Sequence, residues 1–252
     1  MIRRTSSALA TLGEATLLAG HILRIVPRPR LYATSALQQA YMMGIQSMPL
    51  VLVMAFLGGA VTSQQTGAQF SGGLPLWVIG SVLAASMLTE LAPLLTGIVM
   101  MARVGAAIAA ELASMKVTEQ IDALVAMGRD PVAFLVVPRV MAGLLVFPPL
   151  VVLANVMGIA AGWGLGVLVV DGLTSADVVY GMRFYFRPWA LYYSIIKGGV
   201  FGVTITFIAC FVGLRGTGGA EGVGRTTTTA VVATTLALMV IDVLMIPVLK
   251  AF

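Results

Sequence analysis

The stretch TELAPLLTGIVMMARVGAAIAAELASMKVTEQIDALVAMGRDPVAFLVVP, residues 89–138, decides the fold of this chain. It begins inside a long apolar run that carries a single acid, Glu90. It continues as a run of small residues, passes through a short polar segment, and returns to an apolar run near Pro131 and Pro138. An acid at membrane depth followed by a polar insert indicates a transport path joined to a docking element.

The composition places the chain among membrane proteins with several spans. Hydrophobic residues make up 59% of the 252 residues, charged residues only 10%, and the mean hydropathy is +1.01. A soluble globular domain carries about 25% charged residues. The net charge of +5 comes from residues that flank apolar runs, where they set orientation, so it does not indicate nucleic-acid binding.

Five apolar runs are long enough to cross a hydrocarbon core, which takes about 20 residues. They cover residues 41–61, 76–102, 140–170, 189–214 and 230–249. Before them, Ala8–Val26 places leucines among small and polar residues with arginines at both flanks. That pattern is typical of a helix lying at the membrane interface, although a shallow re-entrant segment is the alternative.

The predicted fold is therefore an all-α membrane protein of one domain. Residues 1–40 form a cytoplasmic or interfacial part, and residues 41–252 form a bundle of five transmembrane helices with a cytoplasmic coupling helix. Positive residues set the orientation, because they concentrate in cytoplasmic loops. The cytoplasmic side then holds Arg3, Arg4, Arg24, Arg28, Arg30, Arg103, Lys116, Arg129, Arg139, Arg215 and Arg225. The opposite side holds fewer, namely Arg183, Arg187 and Lys250, with Lys197 leaning toward it.

Two features agree with an outer position for the loop between the third and fourth spans. Residues 184–193, FYFRPWALYY, are rich in aromatic side chains, as expected of a belt at the membrane interface. The segment before it, 175–183, is predicted to be a short amphipathic helix capped by Ser175, with Asp177 in its first turn.

Candidate path residues are the polar side chains at membrane depth. Glu90 costs roughly 2.5–3.5 kcal/mol there on insertion scales, so it requires a partner or a polar cavity. Lys197 has the opposite sign but lies nearer the outer half of its span. A structural ion pair, a polar path for a charged head group and proton coupling are the three open interpretations. Asp242 has no obvious basic partner, and we expect it to bond threonine hydroxyls or backbone amides.

The glutamines that end the first span are weaker candidates. Gln64 and Gln65 are expected on the outer side, followed by Gln69. Their amides can hold a phosphate or a glycerol, or they can form a solvated turn before the Gly72-Gly73 pair. Both interpretations stay open.

The polar insert predicts a short capped helix. Thr118 is the expected N-cap, followed by Glu119, Gln120 and Asp122, and Gly128 is the expected stop. Ile121, Leu124 and Val125 lie on one side as apolar anchors. Asp130-Pro131 supplies the next helix start. Apolar anchors with a charged rim are what a membrane subunit offers to a motor's groove; an unpartnered solvated loop is the alternative.

The sequence contains no motif for catalysis or nucleotide binding. No G-x-x-x-x-G-K-[ST] occurs, so the glycine-rich run Gly213–Gly224 is predicted to be a flexible linker. A single histidine, His21, and a single cysteine, Cys210, exclude a His/Cys metal cluster. We therefore expect a transport subunit that is not an enzyme, holds no cofactor or metal, and depends on ATP bound elsewhere.

Several motifs together resemble the MlaE/YrbE permease family, whose pattern reads approximately E-L-[GA]-P, then G/A-R-x-G-[SA]-A, then A-E. They are TELAP at 89–93, ARVGAA at 102–107, AEL at 110–112, MKVTEQIDAL at 115–124, Asp130-Pro131, IKG at 196–198 with Phe201, and GVGRTTTT at 222–229. Some members carry an arginine just before the intramembrane glutamate, where this chain has Thr89.

This resemblance implies the permease of an ABC-type phospholipid transporter of the Mla/MCE class, which maintains outer-membrane lipid asymmetry from the bacterial inner membrane. Implied partners are a second permease copy, a cytoplasmic ATPase of the MlaF type and a periplasmic MCE-domain ring of the MlaD type, with room for a small cytoplasmic regulator. The family's coupling helix falls on residues 118–127, and its charged pair on Glu90 and Lys197. The N-terminus is then cytoplasmic and the C-terminus periplasmic.

The alternative function is a self-contained secondary carrier that uses Glu90, Asp242 and Lys197 as an ion relay. Such carriers commonly contain an internal repeat. None is visible in this sequence, and five spans divide badly into halves.

Overall fold

The computed structural model describes residues 2–70 and 75–250, and it places side chains over 10–69 and 75–247. Its described residues form helices and connecting turns without strands, which confirms the all-α prediction. In chain order the helices are α1 Ile2–Ile25, α2 Ala33–Gly44, α3 Met48–Phe70, α4 Trp77–Val117, α5 Gln120–Ala126, α6 Val132–Val169, α7 Ser175–Tyr185, α8 Pro188–Gly213 and α9 Gly219–Lys250.

Five of these helices, α3, α4, α6, α8 and α9, are long and apolar enough to cross a membrane. The predicted number of spans is confirmed. The start of the first span is wrong: residues 41–44 belong to α2, and a turn closed by Ser47 N–H donating to Gly44 O separates it from α3. Pro49 explains the break, because it lacks the amide hydrogen needed to continue the helix and is tolerated in the first turn of a new one.

The second span and the small-residue run form one continuous helix, α4, of 41 residues. Two π-helical turns interrupt its regular bonding, at Met87–Leu91 and Met101–Gly105. A third, Val132–Val136, opens α6. Such turns insert one extra residue into a helix and frequently occur at functional sites. The first of them contains Glu90.

Glycines let the central helices approach closely. A Cβ added to Gly59 of α3 would lie 1.8 Å from the Gly158 carbonyl oxygen of α6. One added to Gly202 of α8 would lie 2.4 Å from the Gly143 carbonyl oxygen, also on α6. Small residues at such crossings allow backbone contact between transmembrane helices. The two contacts bring α3 and α8 close against α6.

The glycine-rich linker predicted over Gly213–Gly224 is wrong in its second half, where α9 has already begun. Gly218 and Gly219 have φ of 92° and 68°, left-handed values that favour glycine and allow the chain to reverse. Once reversed, the chain is helical into the membrane run. Hydroxyls of Thr227 and Thr229 donate to carbonyls one turn earlier, Val223 O and Arg225 O, so these threonines fit inside the helix.

The short helix before the fourth span, α7, is confirmed, but its predicted cap is wrong. Thr174 is the N-cap: its hydroxyl accepts from Asp177 N–H, and the Asp177 carboxylate accepts from Thr174 N–H, forming a capping box. Ser175 is already helical. The aromatic rings of Tyr180 and Phe184 pack on Trp77 at the start of α4, with centroids 5.8 and 5.2 Å away.

The helix predicted over Ala8–Val26 is present as α1. Ile22 and Ile25 are buried against the bundle, whereas Leu12, Leu17 and Leu23 are exposed. An amphipathic helix with uncovered leucines suits the membrane interface. Its position in a leaflet stays a prediction.

Candidate functional site

Three spans bring one lysine and two carboxylates together at membrane depth. The Lys197 ammonium on α8 contacts the Glu90 carboxylate on α4 and lies 2.5 Å from Asp242 Oδ1 on α9. It also donates to the Thr89 carbonyl oxygen at 3.1 Å. Three oxygens thus lie close to the ammonium group, and it donates hydrogen bonds to those of Thr89 and Glu90. We call Glu90, Lys197 and Asp242 the charge cluster.

Lys197 is enclosed, while its partners are not. The lysine side chain is 0% exposed, against 37% for Glu90 and 20% for Asp242. The rings of Tyr193 and Phe201, one turn before and after on α8, lie 5.4 and 5.9 Å from the ammonium. Aromatic faces attract a cation at this range. Tyr193 and Phe201 are each four residues from Lys197, a spacing visible in the sequence that places both rings on the same helix face as the lysine.

Asp242 corrects one of the sequence-based expectations. It was expected to lack a basic partner and to bond hydroxyls or amides, and instead it pairs with Lys197. The reason is that α8 and α9 pack side by side, which linear spacing does not reveal. The contact between Glu90 and Lys197, left open by the sequence, is present in the structure.

The charge cluster carries an excess of negative charge when both carboxylates are ionised. One ammonium balances only one carboxylate, and the uncovered parts of Glu90 and Asp242 lie at a depth where hydrocarbon is a poor neighbour. Ionisable side chains in such positions usually face a cavity or a polar group. The arrangement can therefore receive a positively charged or hydrogen-bond-donating group.

A cavity of about 530 Å³ is lined by Thr89, the residue next to Glu90, although none of the three charged residues lines it. Thr89, whose carbonyl accepts from Lys197, lines it, and so does Leu88. Arg187 and Trp189 close it from the α7–α8 connection. Polar and apolar walls together suit an amphipathic ligand, and the volume is within the usual range for small-molecule sites.

A second cavity, of about 450 Å³, lies on the other side of the same wall. It shares Leu88 and Phe186 with the first and is otherwise lined almost wholly by apolar atoms, with Trp163 and Leu191 among its walls. An apolar chamber beside one with mixed walls suits an amphipathic ligand.

The glutamine candidates are not part of this arrangement. Gln64 and Gln65 are exposed near the C-terminal end of α3. The charge cluster is formed by α4, α8 and α9 instead. A role for these amides stays a prediction.

The predicted docking helix is present as α5, but its predicted cap is wrong. The Thr118 hydroxyl donates backward to Ser114 O at 2.8 Å and so belongs to the end of α4. Glu119, at φ 59°, forms the reversal between the two helices. A threonine hydroxyl can donate to a carbonyl of the preceding turn or accept from an amide of the following one, and the Thr118 hydroxyl does the first.

The surface of α5 combines apolar and charged side chains. Ile121 is buried against the chain, Leu124 is half-buried, and Val125 is exposed. Asp122 lies on the rim and pairs with Lys116 of α4, with its two carboxylate oxygens 2.9 and 3.1 Å from the ammonium. Gln120 donates to the Thr118 hydroxyl at 3.0 Å and stays exposed.

The next helix start was correctly predicted. Asp130 Oδ1 accepts from Val132 N–H at 2.9 Å, and Pro131 is the first helical residue of the segment that leads into α6. The short helix α5 is therefore held between two well-defined ends, the Glu119 reversal and the Asp130 cap. That is the local order expected of a docking element.

Comparison with known proteins gives consistent matches over nearly the whole chain. The family model described as permease MlaE matches residues 36–247. A probable ABC transporter permease protein of Rickettsia felis is 35% identical over 238 residues, which cover 94% of this chain and 92% of that protein. One from Synechocystis is 38% identical over 230 residues, covering 90% and 86%. The Arabidopsis thaliana protein TRIGALACTOSYLDIACYLGLYCEROL 1, chloroplastic, is 35% identical over 227 residues, covering 90% and 64%.

Proposed function

Because the chain belongs to the MlaE permease family, we propose that it is the transmembrane subunit of an ABC transporter that moves phospholipids between the inner membrane and the outer envelope. That the chain is a transport permease which spans the membrane several times follows from its family and from the five candidate spans in its structure. The name of the Arabidopsis relative includes that of a galactolipid, trigalactosyldiacylglycerol, and this also favours a lipid substrate.

The observation that carries the lipid proposal is the charge cluster with its two cavities. Glu90 and Asp242 keep uncovered carboxylate surface at membrane depth. These carboxylates accept hydrogen bonds from the hydroxyl or ammonium part of a head group, and Arg187 at the cavity mouth pairs with the phosphate. The apolar chamber beyond Leu88 takes an acyl chain.

The energy for transport comes from a separate ATPase in this proposal. The sequence contains no nucleotide-binding P-loop, and α5 offers a partner an apolar patch around Leu124 and Val125 with Asp122 and Gln120 on its rim. Residues 118–127 are therefore the proposed docking site. A motor seated there contacts the end of α4, the helix that contains Glu90.

The remaining assembly follows the family. We propose a pair of permease copies, an MCE-domain ring on the periplasmic side and, where present, a small cytoplasmic regulator. The N-terminus lies in the cytoplasm and the C-terminus in the periplasm, as the distribution of arginine and lysine favours.

Docking is tested by copurification and reconstitution. The full chain is tagged, expressed together with a candidate ABC ATPase, and compared with Leu124→Asp and with the conservative control Leu124→Met. We expect Leu124→Asp to lose the ATPase and ATP-driven lipid transport, with the thermal unfolding temperature of the permease unchanged. Wild-type copurification and transport by Leu124→Asp would refute docking at α5.

The secondary carrier uses the same charge cluster, so energy coupling has to be tested separately. Proteoliposomes containing the chain without an ATPase are given a proton or sodium gradient, and transfer of a fluorescent phospholipid is followed. We expect no gradient-driven transfer. Transfer that depends on the gradient and is lost in Lys197→Met would favour the carrier over the ABC permease.

A further inference from the structure

A groove lies between α1 and the connection that leads from α5 into α6, and none of the three residues of the charge cluster lines it. It encloses about 800 Å³. One face of α1 forms its first wall, through residues spaced three or four apart, and Arg129 and Phe134 form the facing wall. The α1 residues that line it are Thr16, Leu17, Gly20, His21, Arg24 and Ile25, and Arg28 follows shortly after the helix ends.

Three arginines line this groove: Arg24, Arg28 and Arg129. All three are exposed, and among the described side chains none of them is in an ion pair. Arg129 lies over the Phe134 ring at 5.0 Å, which holds its guanidinium at the groove wall. The groove therefore has an excess of positive charge.

The one carboxylate in the groove does not balance these arginines. Asp130 Oδ1 accepts from Val132 N–H at 2.9 Å, and Asp130 Oδ2 lies 2.9 Å from His21 Nε2. Both oxygens are thus occupied, one in starting α6 and one in tying α1 to that start. An anion in the groove would meet three guanidinium groups rather than a competing acid.

The groove also has an apolar side that continues onto the exposed face of α1. Leu17 and Leu31 line it and are exposed, and Ile25 and Ala133 form its buried floor. Leu12 and Leu23, elsewhere on α1, are exposed as well. Exposed leucines of this kind favour a position of α1 on acyl chains, and in that position the groove would open to the lipid leaflet.

We propose that this groove binds the phosphate of an anionic phospholipid from the leaflet in which α1 lies, at a site separate from the transport path. Basic pockets at the cytoplasmic side of membrane proteins bind anionic head groups, and the arginine fork matches phosphate geometry. The bound lipid bridges α1 and the segment between the docking helix and α6. This lipid site goes beyond the proposed function, because lipid binding in the groove does not depend on which substrate passes the charge cluster.

The test measures binding of short-chain lipids to the purified full-length chain in maltoside micelles, by thermophoresis. The probes are dihexanoyl phosphatidylglycerol, dihexanoyl phosphatidylcholine and inorganic phosphate. The variant is Arg24→Gln/Arg129→Gln. Its matched control, Arg30→Gln/Arg183→Gln, removes the same charge from exposed arginines outside the groove.

We expect phosphatidylglycerol to bind more tightly than either other probe. The groove variant should weaken it about 25-fold, roughly five-fold per arginine, equivalent to about 1 kcal/mol each at 1.4 kcal/mol per tenfold. The control should change it less than two-fold. Arg24→Lys/Arg129→Lys, which keeps the charge but loses the guanidinium fork, should bind phosphatidylglycerol with an affinity between those of the groove variant and the wild type.

Three outcomes would overturn the proposal. Inorganic phosphate binding as tightly as phosphatidylglycerol would make the ligand free phosphate. Equal loss in the control variant would show that only overall charge matters. Unchanged lipid binding together with loss of the copurified ATPase would make the groove part of a protein interface.

Discussion

Two lysines of this protein hold carboxylates in very different surroundings. Lys197 lies between three membrane spans, is wholly buried, and has Glu90 and Asp242 as partners. Lys116 lies at the end of α4, about a third exposed, and holds Asp122 of the docking helix at 2.9 Å. The contact distances are similar, so geometry alone does not rank them. The surroundings of each charge decide what its loss costs.

Water can replace a lost partner of Lys116 or Asp122, whereas it cannot reach Lys197. Exposed ion pairs contribute about 0–1 kcal/mol to the free energy of unfolding. Removing one partner of a buried pair costs about 3–5 kcal/mol, because the other charge is left buried without compensation. The comparison between the two lysines can be broken or sharpened with matched substitutions.

The largest effect is expected for Lys197→Met. The substitution keeps the side-chain length and removes the cation, so Glu90 and Asp242 face each other without a counter-charge. We expect the free energy of unfolding to fall by about 3–5 kcal/mol in sodium dodecyl sulfate titrations of the purified chain, with loss of lipid transport. A loss below about 1 kcal/mol would place Lys197 in contact with water and remove the contrast with Lys116.

Neutralising either carboxylate alone is expected to lower the free energy of unfolding less than Lys197→Met does. Neutralising both is expected to lower it strongly. In Glu90→Gln Lys197 keeps Asp242, and in Asp242→Asn it keeps Glu90, so each single change should be mild. The double variant leaves the lysine buried and unpaired. A double-mutant cycle should give a coupling free energy of about 1–3 kcal/mol, more destabilising than the sum. Additive singles would show that only one carboxylate holds the lysine.

An intermediate effect is expected at a third pair. Arg139 on α6 is only 4% exposed and holds Glu111 of α4 at 2.8 Å, while the Glu111 side chain is 54% exposed. Glu111→Gln should cost more than Arg139→Met, by about 1 kcal/mol, because it leaves the buried charge unpaired rather than the exposed one. Chemical unfolding of both variants measures the difference. The opposite order would mean that exposure does not govern these pairs.

The smallest effect is expected for Lys116→Met, the matched control for Lys197→Met. The free energy of unfolding should fall by no more than about 1 kcal/mol, and the difference from wild type should shrink further in 1 M salt, where the Debye length is about 3 Å. Unfolding titrations at low and high salt check both. A large, salt-independent loss would show that the docking helix is held much more firmly than an exposed pair allows.

The sequence was sufficient for the elements that depend on one segment at a time. The number of spans follows from apolar run lengths because the thickness of the hydrocarbon core sets one length scale. The Asp130-Pro131 helix start and the presence of α5 and α7 follow from local capping chemistry. Glu90 and Lys197 stand out because charges at membrane depth are costly.

What the sequence could not supply depends on neighbours in space or on competing local bonds. The pairing of Asp242 with Lys197 requires knowing that α8 and α9 pack together. Thr118 and Ser175 were each assigned a capping role that the structure gives to an adjacent residue, Glu119 or Thr174, since more than one residue there can end or begin a helix. The break before Met48 was missed although Gln46, Ser47 and Pro49 mark it in the sequence, because the apolar residues on both sides were counted as one run.

Because α4 is continuous, a single helix joins the charge cluster to the end of the bundle at which α5 begins. This helix extends from the cavity lined by Leu88 and Thr89, through Glu90, to Val117, which is followed by the reversal at Glu119. At 1.5 Å per residue, the stretch between Glu90 and Val117 is about 40 Å long. Only the short reversal at Thr118 and Glu119 separates α5 from the helix that contains Glu90. The regular bonding of α4 is interrupted at its two π turns, and one of them contains Glu90 itself.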